Sequence, residues 1–546
     1  MRVTGVRIAK HVTFCAALTA APMFAANCES LASLKLPSTT ITAAKTVAAG
    51  AFALTPGILP APPGLGGPNL KTLPTFCRVE GVIQPSSDSH IEFEVWLPAA
   101  GWNRKYEGAG NGGFAGTINY GDLAQALIAG YATSSTDTGH KGNAAEATWA
   151  LGHPEKVVDF GYRAIHETAE KSKAVIRAFY GEGPQHSYFS SCSNGGRQAL
   201  MEAQRYPADY DGLIAGAPAA NWTRIMAGFT WDEQSLEADS ASYIPAGKFA
   251  AIEKATVAAC DALDGVRDGV IDDPRRCHFD PAVLLCKGAE SAACLTQPQA
   301  AALKKIYAGP RNSKGEPVYP GFQPGGEAGG AASILGWAAW FSGSAPGTSA
   351  QHAFATQNGT NIYQNAAWDY RKANFDQDIR TADETMGARL NAIDPNLKAL
   401  ENRGGKLILF HGWSDPALVP TATVNYYENV AAKVGQKDAA GFVRLYMVPG
   451  MNHCALGPGP SSFGALPRAG ETDPNFSMFA ALERWVEQGA APDKIVATRF
   501  KTDGDPSSGV ARTRPLCPYP QVARYKGSGS TDEAANFACV AGNDGK

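Results

Sequence analysis

Charge of either sign is scarce in this chain of 546 residues. Charged residues make up 18% and the formal net charge is −3, so no basic stripe exists to neutralise a nucleic-acid backbone. Nucleic-acid partners are excluded on that ground. No CxxC pair occurs, which removes the common zinc frameworks. No internal repeat is visible, and with it go solenoids and propellers. No apolar run reaches the roughly 20 residues of a membrane-spanning helix. The one candidate, Val12 to Phe24, is too short; Arg2, Arg7 and Lys10 precede it and Ala25-Ala26 follow it. A basic head, a short apolar middle and a small-residue end have the layout of a secretory signal peptide. Residues 1–26 are therefore read as a leader, and the rest as a secreted or periplasmic chain with no membrane partner.

What is present points to a globular protein. Apolar residues reach 44%, ample for a buried core, and the length exceeds that of one ordinary domain. Cysteine is well supplied, with Cys15 inside the leader and ten more beyond it: Cys28, Cys77, Cys192, Cys260, Cys277, Cys286, Cys294, Cys454, Cys517 and Cys539. An even number in an exported chain implies a disulfide framework. Cys260 and Cys277, Cys286 and Cys294, and Cys517 and Cys539 are near neighbours, but spacing leaves the connectivity open.

Residues 50–74 are rich in Pro and Gly and predict extended chain. Apolar alternation through Ile91, Phe93, Val95 and Leu97 predicts a half-buried strand. Further strands are expected over 104–108, 132–135 and 187–191, with helical spacing over 157–180. A strand, helix, strand rhythm indicates a parallel sheet with crossover helices, an α/β fold. The rhythm stops after 212–219 and resumes at 406–410 and 442–448, with helices expected over 420–434 and 476–488. Between them, 220–390 reads as a loop-rich insertion holding several tryptophans.

The strongest local signal is Ser190-Ser191-Cys192-Ser193-Asn194-Gly195-Gly196-Arg197. A strand ending at a serine, followed by glycines and a helix, presents the hydroxyl at a sheet edge above a helix N-terminus. The N–H after the serine and the helix dipole then favour an oxyanion. Ser191 stands where the usual Gly-x-Ser-x-Gly turn has its first glycine. A serine needs a base. His411 and His140 are candidates, but His453 is better placed, in the Gly450-Met451-Asn452-His453-Cys454 loop after a strand. Cys454 beside it mirrors Cys192 beside Ser193, and a bridge between them would pin nucleophile to base. Asp415, on the loop after Leu407–Phe410, completes the order Ser, Asp, His and would orient the imidazole. Gly110–Gly113 offers a second oxyanion N–H. The run Cys260-Asp261-Ala262-Leu263-Asp264-Gly265-Val266-Arg267-Asp268-Gly269-Val270 gathers oxygen ligands suited to Ca²⁺. Asn221, Asn358 and Asn475 open N-glycosylation acceptor patterns.

Together these motifs resemble the tannase and feruloyl esterase family of exported serine esterases. The shared features are Cys-Ser-x-Gly-Gly-Arg at 192–197, Gly-Met-Asn-His-Cys at 450–454, Cys-Asp-Ala-Leu-Asp-Gly at 260–265, and Thr-Arg-Pro-Leu-Cys-Pro-Tyr-Pro at 513–520. The resemblance implies an α/β-hydrolase core from 27–219 and 391–546, with a lid domain over 220–390. It implies Ser193, His453 and Asp415 as catalytic triad, and Gly113 and Asn194 as oxyanion hole. It implies a structural Ca²⁺ on Asp261, Asp264 and Asp268 with the carbonyls of Val266 and Val270. Disulfides would join Cys28–Cys77, Cys192–Cys454, Cys260–Cys277, Cys286–Cys294 and Cys517–Cys539.

The expected activity is hydrolysis of a small aromatic ester, with feruloyl or galloyl esters first. A terephthalate monoester, mono(2-hydroxyethyl) terephthalate, is the alternative; from 312 to 370 there is Lys314 but no arginine to hold its free carboxylate. The rival from another class is a calcium-stabilised secreted binding protein without catalysis.

Overall fold

The computed structural model describes residues 1, 27–54, 69–329 and 336–542. The leader expected over 1–26 and most of the Pro/Gly-rich 50–74 segment lie outside the described residues. A sheet of nine strands organises the rest: β1 (Thr39–Val47), β2 (Phe76–Ile83), β3 (Ile91–Pro98), β4 (Lys105–Ala109), β5 (Ala132–Thr136), β6 (His186–Cys192), β7 (Gly212–Gly216), β8 (Lys406–Gly412) and β9 (Val443–Val448). Their order is β1-β2-β3-β5-β4-β6-β7-β8-β9. The first three strands and the β3–β5 pair are antiparallel. From β5 to β9 every pair is parallel. This is the α/β architecture the rhythm predicts.

Strand sequences match their burial. The central strands β7 and β8 read Gly-Leu-Ile-Ala-Gly and Lys-Leu-Ile-Leu-Phe-His-Gly, and only Lys406 of the twelve residues is not buried. Near-continuous apolar runs are what a parallel strand covered on both faces requires. One face is covered by the helix Ala164–Tyr180 and by Asn194–Arg205 and Pro420–Val434, whose buried side chains join Val95, Leu213 and Leu409. Met478–Gln488 covers the other, with Met478, Leu482 and Trp485 against Ile214, Ile408 and Tyr446.

Between β7 and β8 the chain makes its long excursion. It is more helical than a loop-rich insertion: Trp222–Glu237, Phe249–Cys260, Gln297–Ala308 and Ala350–Gln357 are all helices. The first of these buries side chains all round, Trp222 and Ile225 as well as Thr223, Asp232 and Glu233, so it lacks the polar stripe by which sequence periodicity is recognised. Its apolar side chains join Phe114, Trp149 and Phe160, from the segments that follow β4 and β5, in one core with Trp337 and Phe341. The excursion is thereby packed over the edge of the sheet where α/β folds place their sites. Past β9, Ile495–Thr502 pairs with Asp505–Leu516, and Gln521–Tyr525 with Phe537–Ala541. All five disulfides have the connectivity the family resemblance implies.

Candidate active site

Ser193 stands between β6 and the helix Asn194–Arg205, with φ 66° and ψ −126°. A positive φ at a non-glycine residue is strained and is held here by its surroundings: its N–H donates to the Gly216 carbonyl at 2.9 Å, and its own carbonyl accepts from Arg197 and Ala219, at 3.1 Å each. The first glycine after it is sterically required. A Cβ on Gly195 would lie 1.9 Å from Ser191 Oγ, so the Ser191 hydroxyl fills the space that a glycine in that place would leave open.

Arg197 is fully buried and has no carboxylate partner among the described residues. Its guanidinium donates to Asn194 Oδ1 (2.8 Å) and to the carbonyls of Gly161 (2.7 Å), Phe160 (3.0 Å) and Leu390 (3.3 Å), and it lies over the rings of Phe160 and Trp222. The motif arginine thus ties the helix under Ser193 to two other segments.

Asp415 follows β8 and His453 follows β9. His453 Nδ1 lies 2.8 Å from Asp415 Oδ2; since a carboxylate only accepts, the imidazole donates there and leaves Nε2 free for a proton. Asp415 is 2% exposed. Its Oδ1 accepts the N–H groups of Ala417 and Leu418, at 2.7 and 2.9 Å. Burial pushes its carboxyl up, but the charge of His453 and the hydrogen bonds from His411 and His453 outweigh that and hold it well below the usual carboxylate range.

Ser193 and His453 line one small cavity of about 30 Å³, with Gly113, Asn194, Trp222, Trp340 and Phe354 also on its wall. Among the described residues no hydrogen bond joins the Ser193 hydroxyl to His453; catalytic pairs are often long in the absence of substrate. What brings the two segments together is the Cys192–Cys454 bridge, across 262 residues of sequence. The Trp340 ring meets His453 edge-on at 5.8 Å. Gly113 has φ 53°, and a Cβ there would collide with the Ala144 carbonyl at 2.1 Å. The N–H of Asn194, first in its helix, has no intrahelical acceptor. Both residues line the cavity, and no backbone hydrogen bond among the described residues uses either N–H. His140 does not take part: it is buried against Trp149, with Nε2 2.8 Å from the Phe114 carbonyl. His411, a candidate base by sequence, lies instead behind Asp415, with Nε2 3.1 Å from the same Oδ2.

Residues 77–540 match the family described as tannase and feruloyl esterase. The chain belongs to this family. It is 43% identical to an uncharacterised esterase of Xanthomonas campestris pv. campestris over 99% of this chain and 96% of that one. It is 37% identical to the mono(2-hydroxyethyl) terephthalate hydrolase of Piscinibacter sakaiensis, over 86% and 85%. The crystal structure of feruloyl esterase B from Aspergillus oryzae superimposes with a TM-score of 0.83 at 29% identity, covering 95% of this chain and all of that one. This tannase and feruloyl esterase family member is thus a carboxylic ester hydrolase with an α/β-hydrolase core.

The acidic segment follows the helix Phe249–Cys260. Asp261 accepts the N–H groups of Asp268 and Gly269 at 3.2 Å, Asp264 that of Val266 at 2.9 Å, and Asp268 that of Val270 at 3.2 Å. Asp268 also pairs with Arg512 at 3.2 Å and with Arg514. Among the described residues the three carboxylates do not close to within 4.8 Å of one another; the groups that do are His166 with Glu202 and Asp209, and Glu233 with Glu237 and His352. Two observations still fit a hard cation. No hydrogen bond among the described residues ends on the carbonyls of Val266 or Val270. Asp264 is raised first by burial, with the charges of Asp268 and Asp261 adding to it, a repulsion that a cation would relieve.

Proposed function

We propose that the chain is an exported serine esterase acting on esters of hydroxyaromatic acids, feruloyl or galloyl esters among them. The observation that carries this reading is the shared cavity of Ser193 and His453, with His453 anchored on a buried, ionised Asp415. Ser193 Oγ attacks the ester carbonyl, and His453 Nε2 takes its proton. The N–H groups of Gly113 and Asn194 receive the oxyanion. His453 then returns the proton to the departing alcohol, leaving an acyl-serine. Water, deprotonated by His453, hydrolyses it and restores the serine. Asp415 stays ionised throughout and stabilises the imidazolium.

In this reading 27–219 and 391–546 are the catalytic core and 220–390 is its lid. Trp222, Trp340 and Phe354 supply a flat apolar wall for an aromatic acyl group. No arginine or lysine lines the cavity among the described residues, which favours a hydroxyaromatic acyl group over a terephthalate monoester with its free carboxylate. An inactive binding protein is disfavoured by the filled triad positions and by relatives named as esterases. Asp261, Asp264 and Asp268, with the carbonyls of Val266 and Val270, would hold Ca²⁺. Bound there it would neutralise the clustered carboxylates and brace the lid against the loop of Pro449 and Gly450. No helix among the described residues is long and apolar enough to cross a membrane.

The test is turnover of methyl ferulate, methyl gallate and mono(2-hydroxyethyl) terephthalate by wild type and Ser193→Ala. Hydroxyaromatic esters should be preferred, and the variant should fold yet lose activity on all three. A folded Ser193→Ala enzyme retaining more than a few per cent of kcat would overturn the nucleophile. Preference for the terephthalate monoester would overturn the substrate class.

A further inference from the structure

A second cavity does not contain the triad residues. It measures about 450 Å³, against about 30 Å³ around Ser193, and falls in the usual size range of ligand sites. The helix Trp222–Glu237 separates the two. Trp222, Ile225 and Phe229 face the catalytic cavity, Thr223, Ala227 and Thr230 face the larger one, and Met226 reaches both.

Its wall has a distinct chemistry. Asn358, Tyr363, Asn365, Trp368, Asn374 and Gln377 all line it, so carboxamides alternate with aromatic rings. No lysine, arginine or histidine is present on the wall, and Asp378 is its one carboxylate among the described residues. Such a wall offers no positive charge to an anion. Carboxamides both donate and accept hydrogen bonds, and aromatic faces take up C–H surface.

Asn358 is 1% exposed, and its Oδ1 accepts from Trp222 Nε1 at 2.8 Å. That bond fixes the amide against the helix, and the neighbouring Asn358 amide nitrogen and Tyr363 hydroxyl are closed off from solvent. The hydrogen-bonding groups this wall leaves open to a ligand are the exposed carboxamides of Asn365, Asn374 and Gln377. The burial of Asn358 also removes the Asn358-Gly359-Thr360 pattern as a glycosylation acceptor.

We propose that this cavity is a second binding site, separate from the catalytic one, for a neutral sugar ring or short oligosaccharide. Trp368 is the stacking platform, and Asn365, Asn374 and Gln377 are the hydrogen-bonding groups.

The experiment uses the full chain carrying Ser193→Ala, titrated with xylotriose and with maltotriose and followed by saturation-transfer NMR and tryptophan fluorescence. At least one trisaccharide should bind saturably. Adding Trp368→Ala should weaken binding tenfold or more. In the active background, the same change should leave hydrolysis of p-nitrophenyl acetate unaltered. Gln377→Ala, at an exposed side chain with no hydrogen bond among the described residues, serves as a second variant should Trp368→Ala not fold. Absence of saturable binding overturns the proposal. So does binding that neither variant weakens, or that ferulate displaces competitively, which would put the sugar elsewhere or in the catalytic cavity.

Discussion

His411 and His453 meet on the same oxygen of Asp415, at 3.1 and 2.8 Å. His411 Nε2 also lies 3.2 Å from the Leu418 carbonyl, and its Nδ1 lies 2.7 Å from Thr423 Oγ1. With two acceptors facing Nε2, that nitrogen carries the proton, and Nδ1 accepts from the threonine hydroxyl. His411 thus donates to Asp415 from behind, while His453 donates to it in front.

Removing that donor should act on the reaction through Asp415. We expect His411→Ala to lower kcat about tenfold, a loss of about 1.4 kcal/mol, with KM little changed. The acid limb of the pH profile should move upward, because Asp415 with one donor fewer draws the proton onto its remaining partner, His453, more strongly. His411→Gln, able to donate to the same oxygen, should recover most of the rate. Steady-state kinetics across pH on the three proteins decide this; an unshifted acid limb would make His411 packing alone.

The residues proposed as the triad stand out in the sequence because each sits where a chain pattern changes. Ser193 ends a strand and opens a helix, and Asp415 and His453 follow the apolar runs of β8 and β9. Pro420 opens its helix at the expected residue, since proline suits a first turn. The role of His411 was not legible, because a histidine four residues before an aspartate has many uses until the turn brings them together. Asn358 has the sequence of a surface glycosylation acceptor; only the fold shows it buried against Trp222. β1 carries no such mark, because Ile41 is the one buried residue of Thr39–Val47 and the segment shows little apolar alternation.

A pH-dependent stability is expected from Asp137, on the segment that hydrogen-bonds the Gly113 loop through Gly116. Its Oδ1 accepts the N–H groups of Glu92 (3.0 Å) and Gly139 (2.8 Å), while its buried Oδ2 has no hydrogen-bond partner. Burial, against the Gly139 bond and the Lys141 charge, pushes the carboxyl up to about 7. The folded state then binds this proton more tightly than the unfolded one. The contribution is fully present below pH 3.8 and is lost as pH rises through about 7. Asp137→Asn keeps both accepted bonds and removes the titration. It should flatten the fall in Tm between pH 5 and pH 8 and raise stability at the upper end by a few kcal/mol. Thermal unfolding of both proteins across that range is the measurement. Parallel curves would exclude Asp137 as the source.

Calcium removal should affect stability before chemistry. If Asp261, Asp264 and Asp268 hold Ca²⁺, chelation leaves clustered carboxylates partly countered by Arg512 and Arg514. We expect EDTA to lower Tm by several degrees, in a manner reversed by added Ca²⁺ and not by Mg²⁺, since binding to the folded state stabilises by mass action. kcat below the new Tm should be nearly unchanged. An unchanged Tm, with no calcium found by elemental analysis, would remove the site.

The Cys192–Cys454 bridge is expected to serve rate as well as stability. It closes 262 residues of chain, worth about 5–6 kcal/mol in the chain-entropy model, so its loss should lower Tm markedly. Stability alone would leave kcat untouched at temperatures where the protein stays folded. The bridge, however, joins the residue before Ser193 to the residue after His453, and both its flanks are strained: Ser193 and Cys454 have φ of 66° and 64°. Freed of the bond, these two loops can relax apart. Proton transfer needs the serine oxygen within about 2.6–3.2 Å of the imidazole, so small drift lowers the rate steeply. The double variant Cys192→Ala with Cys454→Ala should therefore lose at least about tenfold in kcat, roughly 1.4 kcal/mol of transition-state stabilisation, at a temperature where circular dichroism shows it folded. KM for a small ester such as p-nitrophenyl acetate should change less, because the wall formed by Trp222, Trp340 and Phe354 is left in place. A folded double variant with the wild-type kcat would reduce the bridge to scaffolding and leave Asp415 alone to position His453.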